Sequence, residues 1–193
     1  MRARAETARA TGVRIVHAGA ELFESTSYDE VSLEMIAAHA GVSLPTLLRK
    51  FGSKDGLFLA CARELSGREL AARKVAPGDV RGAARVLCGR YQQLGPRWRR
   101  YIALEPRFPA VATAIAGVRH GHRDWLAQVF EPYLPRRAGP LRTRRLAALF
   151  AATEMYVWWS WREHLGLSAE QAQATMNEML AALVASFVKE VEK

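Results

Sequence analysis

Gly41-Val42-Ser43-Leu44-Pro45-Thr46-Leu47-Leu48-Arg49-Lys50-Phe51-Gly52-Ser53-Lys54 is the stretch on which the fold of this 193-residue chain turns. Gly41 stands where a helix ends in left-handed geometry, a conformation glycine adopts at no steric cost. Ser43 can cap a short helix that follows. Its first turn tolerates Pro45, because the N–H that proline lacks would have no intrahelical partner there. Leu44, Leu47 and Phe51 fall on the inner side of that helix, while Ser43, Pro45, Thr46, Arg49 and Lys50 fall on the outer side and Leu48 lies at the boundary. Gly52 ends it, and a further helix starts near Ser53 with Leu57, Phe58, Cys61 and Leu65.

Upstream, Val13, Val16, Ala20 and Phe23, joined by Ile15, Gly19 and Leu22, form one apolar stripe, which predicts a helix from about Glu6 to Ser25. A turn over Ser25–Asp29 leads to Ser32, the expected cap of a helix bearing Leu33, Ile36, Ala37 and Ala40. Downstream, Ala76-Pro77-Gly78 precedes a helix with Val80, Ala84, Leu87, Tyr91 and Leu94 on one face, and Gly95-Pro96 is expected to stop it. Prolines at 106, 109, 132, 135 and 140 divide the middle of the chain. Two long helices, about Leu141 to Leu165 and Ala169 to Glu192, are expected to close it, the second opened by a Ser168/Gln171 capping box. No stretch alternates with the period of a strand, so the reading is all-α.

Two short helices joined by a tight glycine turn, the second polar outside, are the parts of a helix-turn-helix. Such a unit lays its second helix in the major groove of double-stranded DNA. Ser43, Pro45, Thr46 and Arg49 are then nearest the base edges, Lys50 and Lys54 reach phosphates, and Ser32, at the N-terminus of the preceding helix, is a further DNA-binding candidate. Two packed helices of an ordinary bundle give the same local pattern.

The net charge of +9 does not decide between them, because of where it lies. Residues 1–56 hold seven basic and seven acidic side chains, residues 57–145 hold eighteen and six, and residues 146–193 hold three and six. The excess is thus in the middle of the chain, not in the helix-turn-helix. Arg97, Arg99 and Arg100 there suit an anionic effector or a solvated helix face equally.

The stretch from Gly41 to Leu57 closely resembles the signature of the tetracycline-repressor (TetR) family. The likeness extends upstream through Leu22-Phe23, Tyr28, Val31-Ser32, Ile36-Ala37 and Ala40-Gly41, and covers about residues 9–60. Further on, Pro106-Arg107-Phe108-Pro109, His122-Arg123-Asp124-Trp125 and Gly166-Leu167-Ser168 loosely resemble one branch of the family. At Leu48 and Lys50 the family pattern often has an aromatic pair, the first usually a phosphate-binding tyrosine. Leucine cannot make that bond, so the backbone contacts are expected to differ from the family norm.

The resemblance implies an N-terminal three-helix DNA-binding domain (1–52) and a C-terminal helical domain (53–193) that binds an effector and dimerises. It also implies that the last two helices pair as a homodimer interface. On the final helix Ala172, Met176, Met179, Leu180, Leu183 and Phe187 make a stripe suited to a partner or to the domain itself. The preceding one carries Leu146, Leu149, Phe150, Tyr156, Trp158, Trp159 and Trp161 on several sides. Candidate pocket residues are Tyr91, Trp98, Tyr101, Glu105, Arg119, His122, Trp125, Glu154, Tyr156 and Trp159, aromatic walls with a few polar groups fit for a small amphipathic effector.

Enzymatic readings find little support. His120 and His122 are two apart and point to different sides of a helix, and no phosphate loop, nucleophile elbow or HExxH motif is present. No cofactor or metal is expected. Cys61 and Cys88 sit among apolar neighbours as free thiols. Without a signal segment or an apolar run of about 18 residues, a cytoplasmic protein is expected, with no membrane partner. The expectation is therefore a DNA-binding regulator, most simply a repressor, that loses operator affinity on binding an effector. The alternative is a helical binding or catalytic protein that has lost operator binding.

Overall fold

Gly41 adopts φ 62°, ψ 43°, and its N–H and that of Val42 close on the carbonyls of Ala38 and Ala37. This left-handed residue turns the chain between α2 (Leu33–Ala40) and α3 (Leu44–Phe51). The structure, a computed structural model, describes residues 2–189. Before the turn lies α1 (Arg2–Ser25). After it come α4 (Lys54–Ala72), α5 (Val80–Leu104), α6 (Pro109–Val129), a 3₁₀ turn at Glu131–Tyr133, α7 (Pro140–Ala152), α8 (Met155–Trp159) and α9 (Ala169–Lys189). The described residues contain no strand. None of their helices is long and apolar enough to cross a membrane.

The caps explain several boundaries. Ser32 Oγ accepts from the N–H of Met35 at 3.2 Å and so opens α2. The Ser168/Gln171 box forms reciprocally: the N–H of Ser168 donates to Gln171 Oε1 (2.7 Å) and that of Gln171 to Ser168 Oγ (3.2 Å). Ser43 departs from expectation. Its backbone caps α3, but its hydroxyl bonds the Thr46 hydroxyl at 3.0 Å instead of an amide. An N-cap side chain needs the second or third amide of the helix. The second belongs to Pro45, which has none, and the third, at Thr46, is taken by the Ser43 carbonyl.

The chain divides into two compact units. The first contains the described residues up to Glu69 together with Arg97–Val118. In its core Ile15, Phe23, Ile36, Leu47 and Leu57 are fully enclosed, and Leu104, Val111 and Ile115 join them from the later segment. Phe58 packs edge-on against Phe23 (5.0 Å between centroids) and Tyr28 (4.8 Å), and stacks on Tyr101 (5.7 Å). The compact unit is therefore larger than the segment ending at residue 52.

The second unit contains Leu70–Pro96 and the described residues from Arg119 onward. Leu87, Leu126, Phe130, Leu149, Met176 and Leu180 form its enclosed centre. Arg145, 3% exposed, spans it, donating to the carbonyls of Tyr133 (3.0 Å) and Phe187 (2.6 Å) and lying over the Phe187 ring.

Two sequence expectations require correction. Gly95-Pro96 does not stop a helix, because α5 continues to Leu104. A proline inside a helix forfeits one hydrogen bond and crowds a carbonyl. Here Ala83, Leu87 and Tyr91 are buried before it, and Trp98, Tyr101 and Leu104 are packed after it, so tertiary burial outweighs that cost. Conversely, the helix expected from Leu141 to Leu165 breaks at Thr153–Glu154, where Glu154 is extended (φ −65°, ψ 141°). It resumes as α8 and a π turn at Ser160–His164. The break is held by side chains distant in sequence: the Tyr91 hydroxyl donates to the Thr153 carbonyl, and His122 Nε2 lies 2.9 Å from Thr153 Oγ1.

Candidate nucleic-acid interface

α3 buries Leu47 completely, half-buries Leu44 and Phe51, and turns Ser43, Pro45, Leu48, Arg49 and Lys50 to solvent. Thr46 is half-buried, with its hydroxyl on that of Ser43. The result is a short ridge with two hydroxyls and a proline at its N-terminal end and a guanidinium one turn later. Leu48, 37% exposed, is the apolar exception on that face. The Ser32 hydroxyl, at the start of α2, is engaged by the amide of Met35. Glu34 beside it is held below the ordinary carboxyl range, first by its own backbone amide and then by the Ser32 hydroxyl.

The two lysines are seated differently. Lys50 Nζ donates to the Ala8 carbonyl of α1 at 2.7 Å. Its stem crosses Gly12, where a Cβ would lie 2.2 Å from Lys50 Cε. Lys54 opens α4 and sits 4.5 Å above the centroid of the Tyr28 ring. Burial lowers its ammonium below the ordinary lysine value, against the pull of Asp29 and Asp55. The Tyr28 hydroxyl donates to Asp55, which ties the α1–α2 connection to the first turn of α4.

Sequence reading missed the groups that hold α1 in place. Glu21 bonds His39 (2.8 Å) and lies 3.3 Å from His17, and its carboxyl is held below the ordinary value first by the His39 bond. Arg97 pairs with Glu24, while Arg100 donates to the carbonyls of Glu24 (2.9 Å) and Ser25 (3.4 Å). A cation on the last carbonyls of a helix satisfies groups that have no intrahelical partner and complements the helix dipole. Arg97 and Arg100 therefore bind the end of α1, while Arg99 is exposed. A long-range pairing of this kind leaves no local sequence signal.

The ten candidate pocket residues divide between the two units. Trp98, Tyr101 and Glu105 belong to the first unit, where Trp98 and Tyr101 pack on its core and the Tyr101 hydroxyl donates to the Phe23 carbonyl. Tyr91, Arg119, His122, Trp125, Glu154, Tyr156 and Trp159 belong to the second. There Tyr91, His122 and Trp125 join a buried polar network. His122 Nδ1 accepts from Arg73 at 3.0 Å, Trp125 Nε1 donates to the Arg73 carbonyl at 2.9 Å, and Thr153 Oγ1 donates to the Leu149 carbonyl at 2.7 Å. Burial first and the Arg73 charge second push His122 down to about 3, so it is a neutral core histidine. Tyr156, 49% exposed, meets Trp159 edge-on at 5.4 Å. Arg119 and Glu154 are half-buried. The described residues hold no cluster of potential metal ligands.

Residues 15–61 match the sequence model of the bacterial regulatory proteins of the tetR family. Those residues comprise the C-terminal part of α1, all of α2 and α3, and the start of α4. No curated protein matches the chain. Among solved structures, a tetR-family transcriptional regulator from Streptomyces coelicolor is similar over 93% of this chain and 90% of its own, at TM-score 0.68 and 17% identity. Salmonella enterica GusR is similar over 91% and 96%, at TM-score 0.66 and 21% identity. A complex of SmeT with triclosan is similar over 90% and 91%, at TM-score 0.61 and 16% identity. Residues 15–61 thus carry the sequence pattern of the tetR-family domain, and the fold of the chain is that of solved tetR-family regulators.

Proposed function

We propose that the chain is a one-component repressor that binds operator DNA as a homodimer and releases it when a small effector occupies its C-terminal helices. The family consists of transcriptional regulators, which are not enzymes. The observation that carries the reading is the outer face of α3, where Ser43, Pro45, Thr46 and Arg49 stand together on a helix held to α2 by Gly41. A major groove admits one such helix, and residues near its N-terminus reach the base edges.

Lys50 and Lys54 supply the phosphate contacts in this reading. The Lys50 ammonium gives one N–H to Ala8 and keeps two for DNA. Dimerisation through the last two helices is supported by exposed apolar side chains on α9, Met179 (37%) and Val188 (46%), and by Leu165 (66%) in the link before it. On α9 the structure turns Ala172, Met176, Leu180 and Phe187 inward and leaves Leu183 half-buried, so only part of the apolar stripe is open to a partner. That the solved structure of SmeT holds triclosan supports a sensing role for this fold.

The effector acts by linkage: it weakens DNA binding by the ratio of its affinities for the two arrangements of the recognition helices. Binding of the full chain to the DNA beside its own gene, followed over a salt series, tests the reading. Specific, salt-dependent binding is expected. Equal affinity for that DNA and an unrelated duplex would leave the alternative of a helical binding protein without an operator.

A further inference from the structure

The N-terminal part of α5 and that of α9 leave between them a groove of about 440 Å³, within the second unit and in the size range that holds small ligands. None of the ten pocket candidates borders it. Its apolar lining includes Ala84, Cys88 and Trp158, while its polar lining is unbalanced. Arg81 and Arg85 are exposed one turn apart on α5, and neither has a hydrogen-bond or ion-pair partner among the described residues. Their spacing puts both guanidinium groups on one face of the helix. On α9, Asn177 lines the same groove, and its Oδ1 is buried with no hydrogen-bond partner. Buried side-chain acceptors are seldom left unsatisfied in folded proteins. The one carboxylate in the lining, Glu170, accepts from Ser168 Oγ at 2.8 Å and is engaged at the start of α9.

We propose that this groove binds a small carboxylate that also carries an N–H or O–H donor. The carboxylate is taken by Arg81 and Arg85, whose planar donors match its geometry. The body of the ligand lies against Trp158 and Ala84, and the donor satisfies Asn177 Oδ1. The inference deepens the effector half of the proposed function and rests on it for its regulatory meaning, while binding itself is read on the protein alone.

The probes are 4-hydroxybenzoate, 4-aminobenzoate and 4-hydroxyphenylacetate, titrated calorimetrically into the full chain without DNA at fixed ionic strength. Benzoate lacks the donor and 4-hydroxybenzyl alcohol lacks the charge. At least one probe is expected to bind once per chain, at least tenfold tighter than its uncharged counterpart. Arg81→Ala with Arg85→Ala should weaken it at least tenfold, and Asn177→Leu should abolish the preference over benzoate. Gly89 lines the groove and a Cβ there meets open space, so Gly89→Met should block binding with the melting temperature retained. Binding by none of the three probes, undiminished binding in the double arginine variant, or loss of the dimer in that variant with binding intact would each overturn the proposal. Operator affinity is measured on the same variants. A chain that binds operator but no probe loses the groove and keeps the DNA reading, and a chain that binds a probe but no operator loses the DNA reading and keeps the groove.

Discussion

Lys50, in the last turn of α3, donates its ammonium to the main-chain carbonyl of Ala8 in α1, 42 residues earlier, at 2.7 Å. The stem reaches that carbonyl because Gly12 has no side chain: a Cβ there would lie 2.2 Å from Lys50 Cε and 2.9 Å from Nζ. One glycine thus lets α1 fix the attitude of the helix proposed to enter DNA.

Gly12→Ala is expected to displace Lys50 without harming α1, since alanine is intrinsically favoured over glycine in a helix by up to about 1 kcal/mol. Affinity for operator and for unrelated DNA should both fall several-fold, while the melting temperature stays within a few degrees of wild type. Fluorescence anisotropy with the two duplexes, beside a thermal melt, checks it. Unchanged affinity for both would show that the seat of Lys50 is irrelevant to DNA.

His122 links stability to pH. Its folded value, pushed down to about 3 by burial and then by Arg73, lies below the ordinary 6.5. Between these values the unfolded chain takes up a proton that the folded chain refuses, so stability is complete above pH 6.5 and is lost as pH falls through the window. The slope contributed by this one residue approaches about 1.4 kcal/mol per pH unit. Urea unfolding at pH 7.5, 6.5, 5.5 and 5.0 measures it. His122→Gln should be less stable at pH 7.5, through loss of the contacts to Arg73 and Thr153, and should show a flatter decline below pH 6.5. Parallel declines would remove His122 as the cause.

A dimer at micromolar concentration is expected by light scattering. Met179 is 37% exposed and Leu183 half-buried within its own unit, so Met179 is the better place to test pairing apart from folding. Met179→Glu puts an unpaired charge at the proposed interface, which costs several kcal/mol if the site is buried by a partner. A folded monomer is the expected product. A wild-type monomer would contradict the interface and the two-fold operator together.

The helix-turn-helix was legible because its determinants are local. Gly41 has to turn left-handed, Ser32 caps α2 three residues before the amide it accepts, and Leu47 is spaced to face the core. The break at Thr153 was not, since no glycine or proline marks it and its stabilising partners, Tyr91 and His122, lie 62 and 31 residues away. Pro96 gave the opposite error, a strong local signal overridden by burial on both sides. Of the aromatic residues chosen as pocket walls, Trp98 and Tyr101 pack on the core of the first unit, Tyr91 and Trp125 join a polar network in the second, and Tyr156 is exposed beside Trp159. Spacing marks an apolar face but not whether a ligand or the protein covers it. The seat of Lys50 on Gly12 depends on how α1 passes α3, which the sequence of neither helix encodes.

The central claim is that the outer face of α3 reads DNA, and operator titrations over a salt series with wild type and four alanine variants test it most directly. Thr46→Ala and Arg49→Ala should lose roughly 1–3 kcal/mol per base contact on the operator, with Thr46→Ala nearly unchanged on unrelated DNA. Lys50→Ala should weaken both duplexes and lower the magnitude of the log K against log salt slope by about one per monomer. Lys54→Ala should lower it less, because Lys54 is already held over Tyr28 beside Asp29 and Asp55. Protection of two half-sites about 34–36 Å apart, or a simple multiple of that, completes the predicted result. If all four variants bind the operator as wild type does, α3 does not face the groove and the account is wrong.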